Sequence, residues 1–251
     1  MSDRLKKTFE NKSKKLVTFT TGGDPDLETS FKILKTIINN NIDIVEIGMP
    51  FSDPMADGPT IQESSTRSIE NGTTIQDIFE LVKKIRTLNN EIPVILMGYY
   101  NSIFNMGIEE FTSKCVQVGV DGLIIVDLQP EEDADLYVKT KENNIDLIRL
   151  ITPTTNKERL KTILNNASGF LYYVTVTGIT GQNSANLKEL ETSINLIRSE
   201  SNLPIVAGFG IKSRKDVENI SALTDGVVVG SSIVNIIKDN ISDKKNMRSE
   251  E

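Results

Sequence analysis

Short apolar runs rich in Val, Ile and Leu recur along the chain, and each is followed by a segment whose apolar residues have helical spacing. The runs at 16–20, 42–48, 93–99, 122–126, 146–151, 170–176, 204–207 and 226–229 predict strands. The intervening segments at 27–40, 60–88 (broken near Gly72), 108–118, 131–143, 157–166, 187–199, 213–222 and 232–238 predict helices. Within 27–40, Leu27, Phe31, Leu34, Ile37 and Ile38 fall on one helical face. Thr74 with Asp77, and Ser213 with Asp216, have the spacing of a capping box, which marks a helix start. The strand runs scarcely alternate with polar residues, as expected for parallel strands covered on both faces. Ahead of the first strand, Leu5 and Phe9 are four residues apart and predict a short docking helix within 1–15.

Eight strands alternating with eight helices in 251 residues is the arithmetic of an α/β chain folded as a closed (β/α)8 TIM barrel. A doubly wound open sheet is the competing architecture. It usually has fewer strands and a glycine fingerprint after the first, which Gly22-Gly23-Asp24-Pro25 does not match. No Pro/Gly/Ser-rich linker divides 1–251, so one domain is expected, with a charged tail at 239–251 that frays.

Composition narrows the chemistry. The chain has no histidine, which excludes Ser-His-Asp and Cys-His relays and His-ligated metals. Any acid or base working near neutral pH must be Asp, Glu, Lys, Tyr or a backbone group. The single cysteine permits no intrachain disulfide and fits a reducing compartment. The net charge of −7 argues against nucleic acid or an anionic membrane as partner. No apolar run approaches the ~20 residues that span a bilayer, and 1–15 lacks the apolar stretch of a signal peptide. A cytoplasmic location is expected; a plastid stroma fits equally.

In such a barrel, chemistry sits at the C-terminal ends of the strands. Glu46 lies inside the second apolar run, where alternation lets it point into the barrel mouth. A desolvated carboxylate there has a raised pKa, as a proton donor that must reload requires. The competing role is an ion pair with a base across the barrel. The loop that follows holds Pro50, Pro54 and Pro59 with Asp53 and Asp57. Its prolines restrict it and favour holding one acid over the mouth, whereas capping the next helix is the ordinary fate of such an Asp. Gly208 and Gly210 after the seventh strand, and Gly230 and Ser231 after the eighth, form the pattern of a phosphate site. The polar segment 177–184 reads as a lid. No predicted strand core contains the lysine of a Schiff-base aldolase, and Lys212 is expected to face solvent. What remains is a phosphorylated substrate handled by carboxylates, with the substrate as its own electron sink.

These residues resemble the tryptophan synthase alpha subunit family. The matching stretches run from Glu46 through Asp57 to Gln62, and include Gly23-Asp24-Pro25, Gly98-Tyr99-Tyr100-Asn101, Asp127-Leu128 with Glu131-Glu132, Thr177 through Thr180 to Gly181, Gly208 to Ile211, and Gly230-Ser231. They follow the family's order from first strand to last. The resemblance implies retro-aldol cleavage of indole-3-glycerol phosphate to indole and glyceraldehyde 3-phosphate. It implies that Glu46 protonates indole C3 and then takes the hydroxyl proton, and that Asp57 holds the indole N–H. It places Phe19, Met97, Tyr99, Ile124, Val126, Asp127, Tyr172 and Phe209 at the indole pocket, although Met97 and Ile124 also suit ordinary core. It places Gly181, Gly210, Gly230 and Ser231, next to Ser232, at the phosphate, and Thr180 in the lid.

The resemblance further implies a beta subunit as partner in an allosteric two-alpha, two-beta heterotetramer. Residues 53–62 and 101–107 would lie near that contact. No cofactor or metal is expected in this chain, since pyridoxal phosphate belongs to the beta subunit. Two positions depart from the family pattern: Val176, where some members carry Arg, and Gln129, where many have Pro. Two other functions compete: another phosphate-binding barrel, such as an isomerase or an indole-glycerol phosphate synthase, and a non-catalytic barrel that only binds a phosphorylated ligand and activates a partner.

Overall fold

The apolar runs form strands because both of their faces are buried, the outer one against amphipathic helices and the inner one against the other strands of the barrel. The computed structural model describes residues 1–174, 184–208, 210–211 and 213–241. Helix α1 (Asp3–Glu10) precedes β1 (Lys15–Thr21), α2 (Leu27–Asn39), β2 (Ile44–Gly48), α3 (Pro59–Glu70) and α4 (Ile75–Leu88). Then come β3 (Val94–Gly98), α5 (Tyr100–Met106), α6 (Ile108–Val118), β4 (Gly122–Ile125), a 3-10 turn at Pro130–Glu132 and α7 (Ala134–Glu142). β5 (Asp146–Leu147), β6 (Arg149–Ile151), α8 (Lys157–Leu164), β7 (Leu171–Val174) and α9 (Ser184–Glu200) follow. β8 (Ile205–Gly208), α10 (Arg214–Leu223), β9 (Gly226–Val229) and α11 (Ser231–Asn240) end the described chain.

All strand pairs are parallel, in the order β5-β4-β3-β2-β1-β9-β8-β7-β6. Only Ile148 separates β5 from β6, so the two ends of that order are one continuous stretch and the sheet closes on itself. The closure rules out the open sheet. The predicted fifth strand is thus split: β5 bonds to β4, Ile148 N–H still reaches Leu123 O at 2.9 Å, and β6 then bonds to β7.

The buried apolar side chains form three clusters. One fills the barrel and includes Val17 and Phe19, Ile95, Phe170 and Tyr172, with the period of two that points alternate residues inward. The other two lie between strands and helices, one joining α2, α4 and α6 to β2–β5, the other joining α8, α9 and α10 to β6–β9. The predicted docking helix is α1. Its Leu5 is fully buried in the inner cluster, the Phe9 ring lies 5.9 Å from that of Phe170, and Arg4 Nη1 donates to Asp121 Oδ1 at 3.1 Å. Burying a Leu stabilises by roughly 2 kcal/mol, so α1 plugs the N-terminal end of the barrel and leaves the other end for chemistry.

The differences from the sequence-based expectations have local causes. Strand β1 starts at Lys15, so one strand does contain a lysine; it sits at the plugged end, where Nζ donates to Asn11 Oδ1 and Ser13 Oγ at 2.7 Å. The helix expected from residue 131 begins at Ala134 because Pro130–Glu132 winds as a 3-10 turn. Helix α5 was not expected at all. Both predicted capping boxes are present, on α4 and α10. Helix α11 runs through Asn240, so Asp239 belongs to it; 242–251 lie outside the described residues. Among the described residues, no helix is long and apolar enough to cross a membrane.

Candidate active site

Parallel pairing aligns Phe19, Glu46 and Ile95 across β1, β2 and β3, so Glu46 takes an inward position in a ring of apolar residues. It is fully buried, and neither carboxylate oxygen has a hydrogen-bond partner. No ion pair to Glu46 exists among the described residues, which removes the competing reading of a base across the barrel. Burial first, and the neighbouring charge of Asp57 second, push its pKa up to about 8.

Asp57 reaches the same site from the loop after β2. The loop is pinned at intervals: Met49 N–H donates to Met97 O at 2.7 Å, Phe51 N–H to Ser65 Oγ at 2.9 Å, and Asp57 N–H to Pro54 O at 3.0 Å. Helix α3 is entered through Gly58 with Pro59 in its first turn, and no side chain caps it. Asp57 is therefore not a helix cap. Its Oδ2 instead accepts from the Tyr99 hydroxyl at 3.0 Å. Burial raises the pKa of Asp57, and the Tyr99 hydrogen bond opposes that rise. Asp57 also adds to the charge that, after burial, raises the pKa of Tyr172, a residue of β7.

A cavity opens beside Asp57 and Tyr99, lined by Phe19, Thr21, Gly48, Met49, Asp57, Ile61, Ser65, Met97, Gly98, Tyr99 and Val126. Gly48 makes room for it: a Cβ there would stand 2.7 Å from the Phe19 ring. At Gly208 a Cβ would meet the Tyr172 hydroxyl at 2.5 Å, so this glycine lets the tyrosine lie across the barrel. Of the expected pocket residues, Phe19, Met97, Tyr99 and Val126 line the cavity. Ile124 and Tyr172 are not among its lining residues; both are buried in the inner cluster, Ile124 two residues short of Val126. Asp127 Oδ1 accepts from Tyr100 N–H at 2.8 Å and so supplies the start of α5. Met49 on the loop after β2, Ile61 and Ser65 on α3, and Thr21 at the end of β1 were missed, because their approach to the mouth has no signature in sequence.

At the far side of the mouth, Gly230 precedes α11, whose first turn is uncapped by any side chain. The contrast with α10 is instructive: there Ser213 and Asp216 cap the first turn internally, leaving α11 the better helix end to receive an anion. Ser232 Oγ donates to Ile211 O at 2.9 Å, tying this turn to the loop of Gly210, which has a φ of 75°. Thr180, Gly181, Phe209, Val176 and Lys212 lie outside the described residues. Gln129 lies at the start of the 3-10 turn. No group of Cys, Asp and Glu among the described residues is arranged to hold a metal ion.

The family model described as Tryptophan synthase alpha chain matches residues 5–251. The chain belongs to the tryptophan synthase alpha chain family. It is 42% identical over 247 residues to the tryptophan synthase alpha chain of Petrotoga mobilis, covering 98% of this chain and 95% of that one. The crystal structure of the tryptophan synthase alpha subunit from Legionella pneumophila superposes with a TM-score of 0.90 at 34% identity, covering 98% of this chain and 93% of that chain. An open-form tryptophan synthase from M. tuberculosis superposes with a TM-score of 0.86 at 27% identity, over 95% and 92% of the two chains. The family is a lyase of tryptophan biosynthesis that cleaves indole-3-glycerol phosphate. Its alpha chain needs no cofactor and works with a beta subunit, to which the pyridoxal phosphate belongs.

Proposed function

We propose that Glu46 and Asp57 carry the family's cleavage of indole-3-glycerol phosphate in this chain, Glu46 as acid and then base, Asp57 as the anchor of the indole nitrogen. The supporting observation is the dry, unpaired Glu46 beside Asp57 at the mouth of the barrel. A carboxyl with a pKa of about 8 is protonated in the resting enzyme. It gives its proton to indole C3, which makes the ring an iminium. The resulting carboxylate takes the proton from the hydroxyl next to the bond that breaks. The carbonyl of glyceraldehyde 3-phosphate forms, and the bonding pair returns to the ring, restoring indole. Asp57 accepts from the indole N–H and offsets the positive charge that develops there.

Phe19, Tyr99 and Tyr172 would enclose the ring, with Phe209 completing the pocket. Gly181, Gly210, Gly230 and Ser231 would receive the phosphate, the last two through the open turn of α11. Thr180 would act from the lid. Ile124 supports the pocket floor from below. The released indole goes to the beta subunit for condensation with L-serine, and a cytoplasmic setting fits this biosynthetic role. The reading as a non-catalytic activator is disfavoured by the pair of carboxylates, which ligand binding alone does not need.

The test follows indole release from indole-3-glycerol phosphate by the full chain, with and without a beta subunit. Slow release alone and faster release in the complex are expected. Glu46→Gln should abolish turnover while binding of a phosphorylated ligand persists; wild-type turnover in that variant rejects the assignment.

A further inference from the structure

Tyr99 stands at three contacts at once. Its hydroxyl donates to Asp57 Oδ2 at 3.0 Å and accepts the Ala56 N–H at 3.0 Å, and its ring stacks on Phe51 with centroids 5.1 Å apart. We propose that Tyr99 is the positioning residue of Asp57, holding the carboxylate over the cavity through a hydroxyl whose direction is fixed by the Ala56 N–H. The inference rests on the role of Asp57 given above and assigns to Tyr99 more than a place in the pocket wall.

A phenol has one proton to give. Because a lone pair of Tyr99 is occupied by the Ala56 N–H, the remaining geometry sends that proton to Asp57. The tyrosine therefore reads two consecutive residues of the loop, one by accepting and one by donating. This fixes both the place of the Asp57 carboxylate and its ionised form, which is the form that accepts an indole N–H. Tyr99 is itself immobile: it is 2% exposed, its ring is stacked, and the next residue is held by Asp127. Ser65 holds the same loop elsewhere, at Phe51 N–H, without touching Asp57.

The groups that face Asp57 are Glu46 from β2, Tyr99 from the end of β3 and Tyr172 from β7, while Asp127 from the end of β4 faces Tyr99. No cation pairs with any of them among the described residues. The Tyr99 hydrogen bond thus holds the Asp57 pKa down against burial. Its loss moves that pKa up, so the acidic limb of kcat/KM, where Asp57 must be ionised, moves to higher pH.

The variant is Tyr99→Phe, which keeps the stacked ring and frees only the N–H of exposed Ala56 to water. It is compared with Ser65→Ala and Asp57→Asn in the full chain, using indole-3-glycerol phosphate. Expected for Tyr99→Phe is a kcat lowered about 10- to 100-fold, the span of a charge-assisted hydrogen bond, with KM nearly unchanged and the acidic limb shifted upward. Ser65→Ala should leave that limb in place. Wild-type kcat and an unmoved limb in Tyr99→Phe, with Asp57→Asn impaired, would overturn the inference while sparing the role of Asp57. An equal limb shift in Ser65→Ala, or a Tyr99→Phe loss carried by KM alone, would overturn it as well. Full activity in Asp57→Asn would remove the role of Asp57 itself, and the inference with it.

Discussion

Glu46 should make the protein less stable as pH rises, and Glu46→Gln should relieve that. The folded-state pKa lies at about 8, against 4.5 for an ordinary glutamate. Between those values the unfolded chain has released the proton and the folded chain still binds it. Unfolding therefore becomes easier as pH rises through this window, and the effect saturates above the folded pKa. The carboxylate is completely buried with no partner, so solvent screening provides little discount. The free energy between 4.5 and about 8 is about 5 kcal/mol, an upper bound because the site can relax and admit water. Gln has nearly the same shape and never ionises. Near pH 4 the two proteins should have nearly equal stability. At about pH 9 the variant should be the more stable by about 2–5 kcal/mol. Urea denaturation of both full-length proteins at the two pH values measures the difference. A gap independent of pH, or a variant less stable at high pH, refutes the account of Glu46 as a dry, unpaired acid. The substitution expected to silence the enzyme is thus also expected to strengthen the fold.

Asp57→Asn should lower kcat by at least about a hundred-fold, because a neutral amide cannot balance the charge on the indole nitrogen; steady-state kinetics with the beta subunit present checks this. Ser231→Glu puts a carboxylate in the first turn of α11, where it should stabilise the helix by about 0.5 kcal/mol while excluding phosphate. Calorimetric titration with a phosphorylated ligand should show at least about a ten-fold loss of affinity, and unchanged affinity would move the phosphate elsewhere. Arg67→Ala should destabilise by about 3 kcal/mol, since Arg67 donates from Nε and Nη2 to both oxygens of buried Asp24 at 2.8 Å; a loss below about 1 kcal/mol in urea would contradict this.

The barrel was readable because its signals are local and repeated. The apolar faces of 27–40 and the capping boxes at Thr74 and Ser213 need no distant partner to be recognised. Helix α5 was not readable, because seven residues have too little periodicity and its start is supplied by Asp127 from the end of the neighbouring strand. The split at Ile148 was hidden for a similar reason, as a change of hydrogen-bonding neighbour leaves no mark on an apolar run. Within the site, Glu46 announced itself as a charge in an apolar strand. Asp57 left two roles open that only the Tyr99 contact and the bare Gly58 cap decide. Ile124 lies on the predicted strand and is buried in the inner cluster, two residues before Val126, which lines the cavity.

The handover at Ile148 divides more than a strand. The outer core made from residues 34–147 ends just before it, and the outer core made from 151–227 begins just after. The protein is in this sense two half-barrels, each with its own helical packing, joined at Ile148, along the β1–β9 ladder and around a shared interior. Val17, Ile44 and Ile95 come from the first half, and Phe170, Tyr172 and Val206 from the second. The dryness of Glu46 is therefore joint property: a half-barrel alone would leave that carboxyl facing water, an ordinary glutamate with nothing to give at neutral pH.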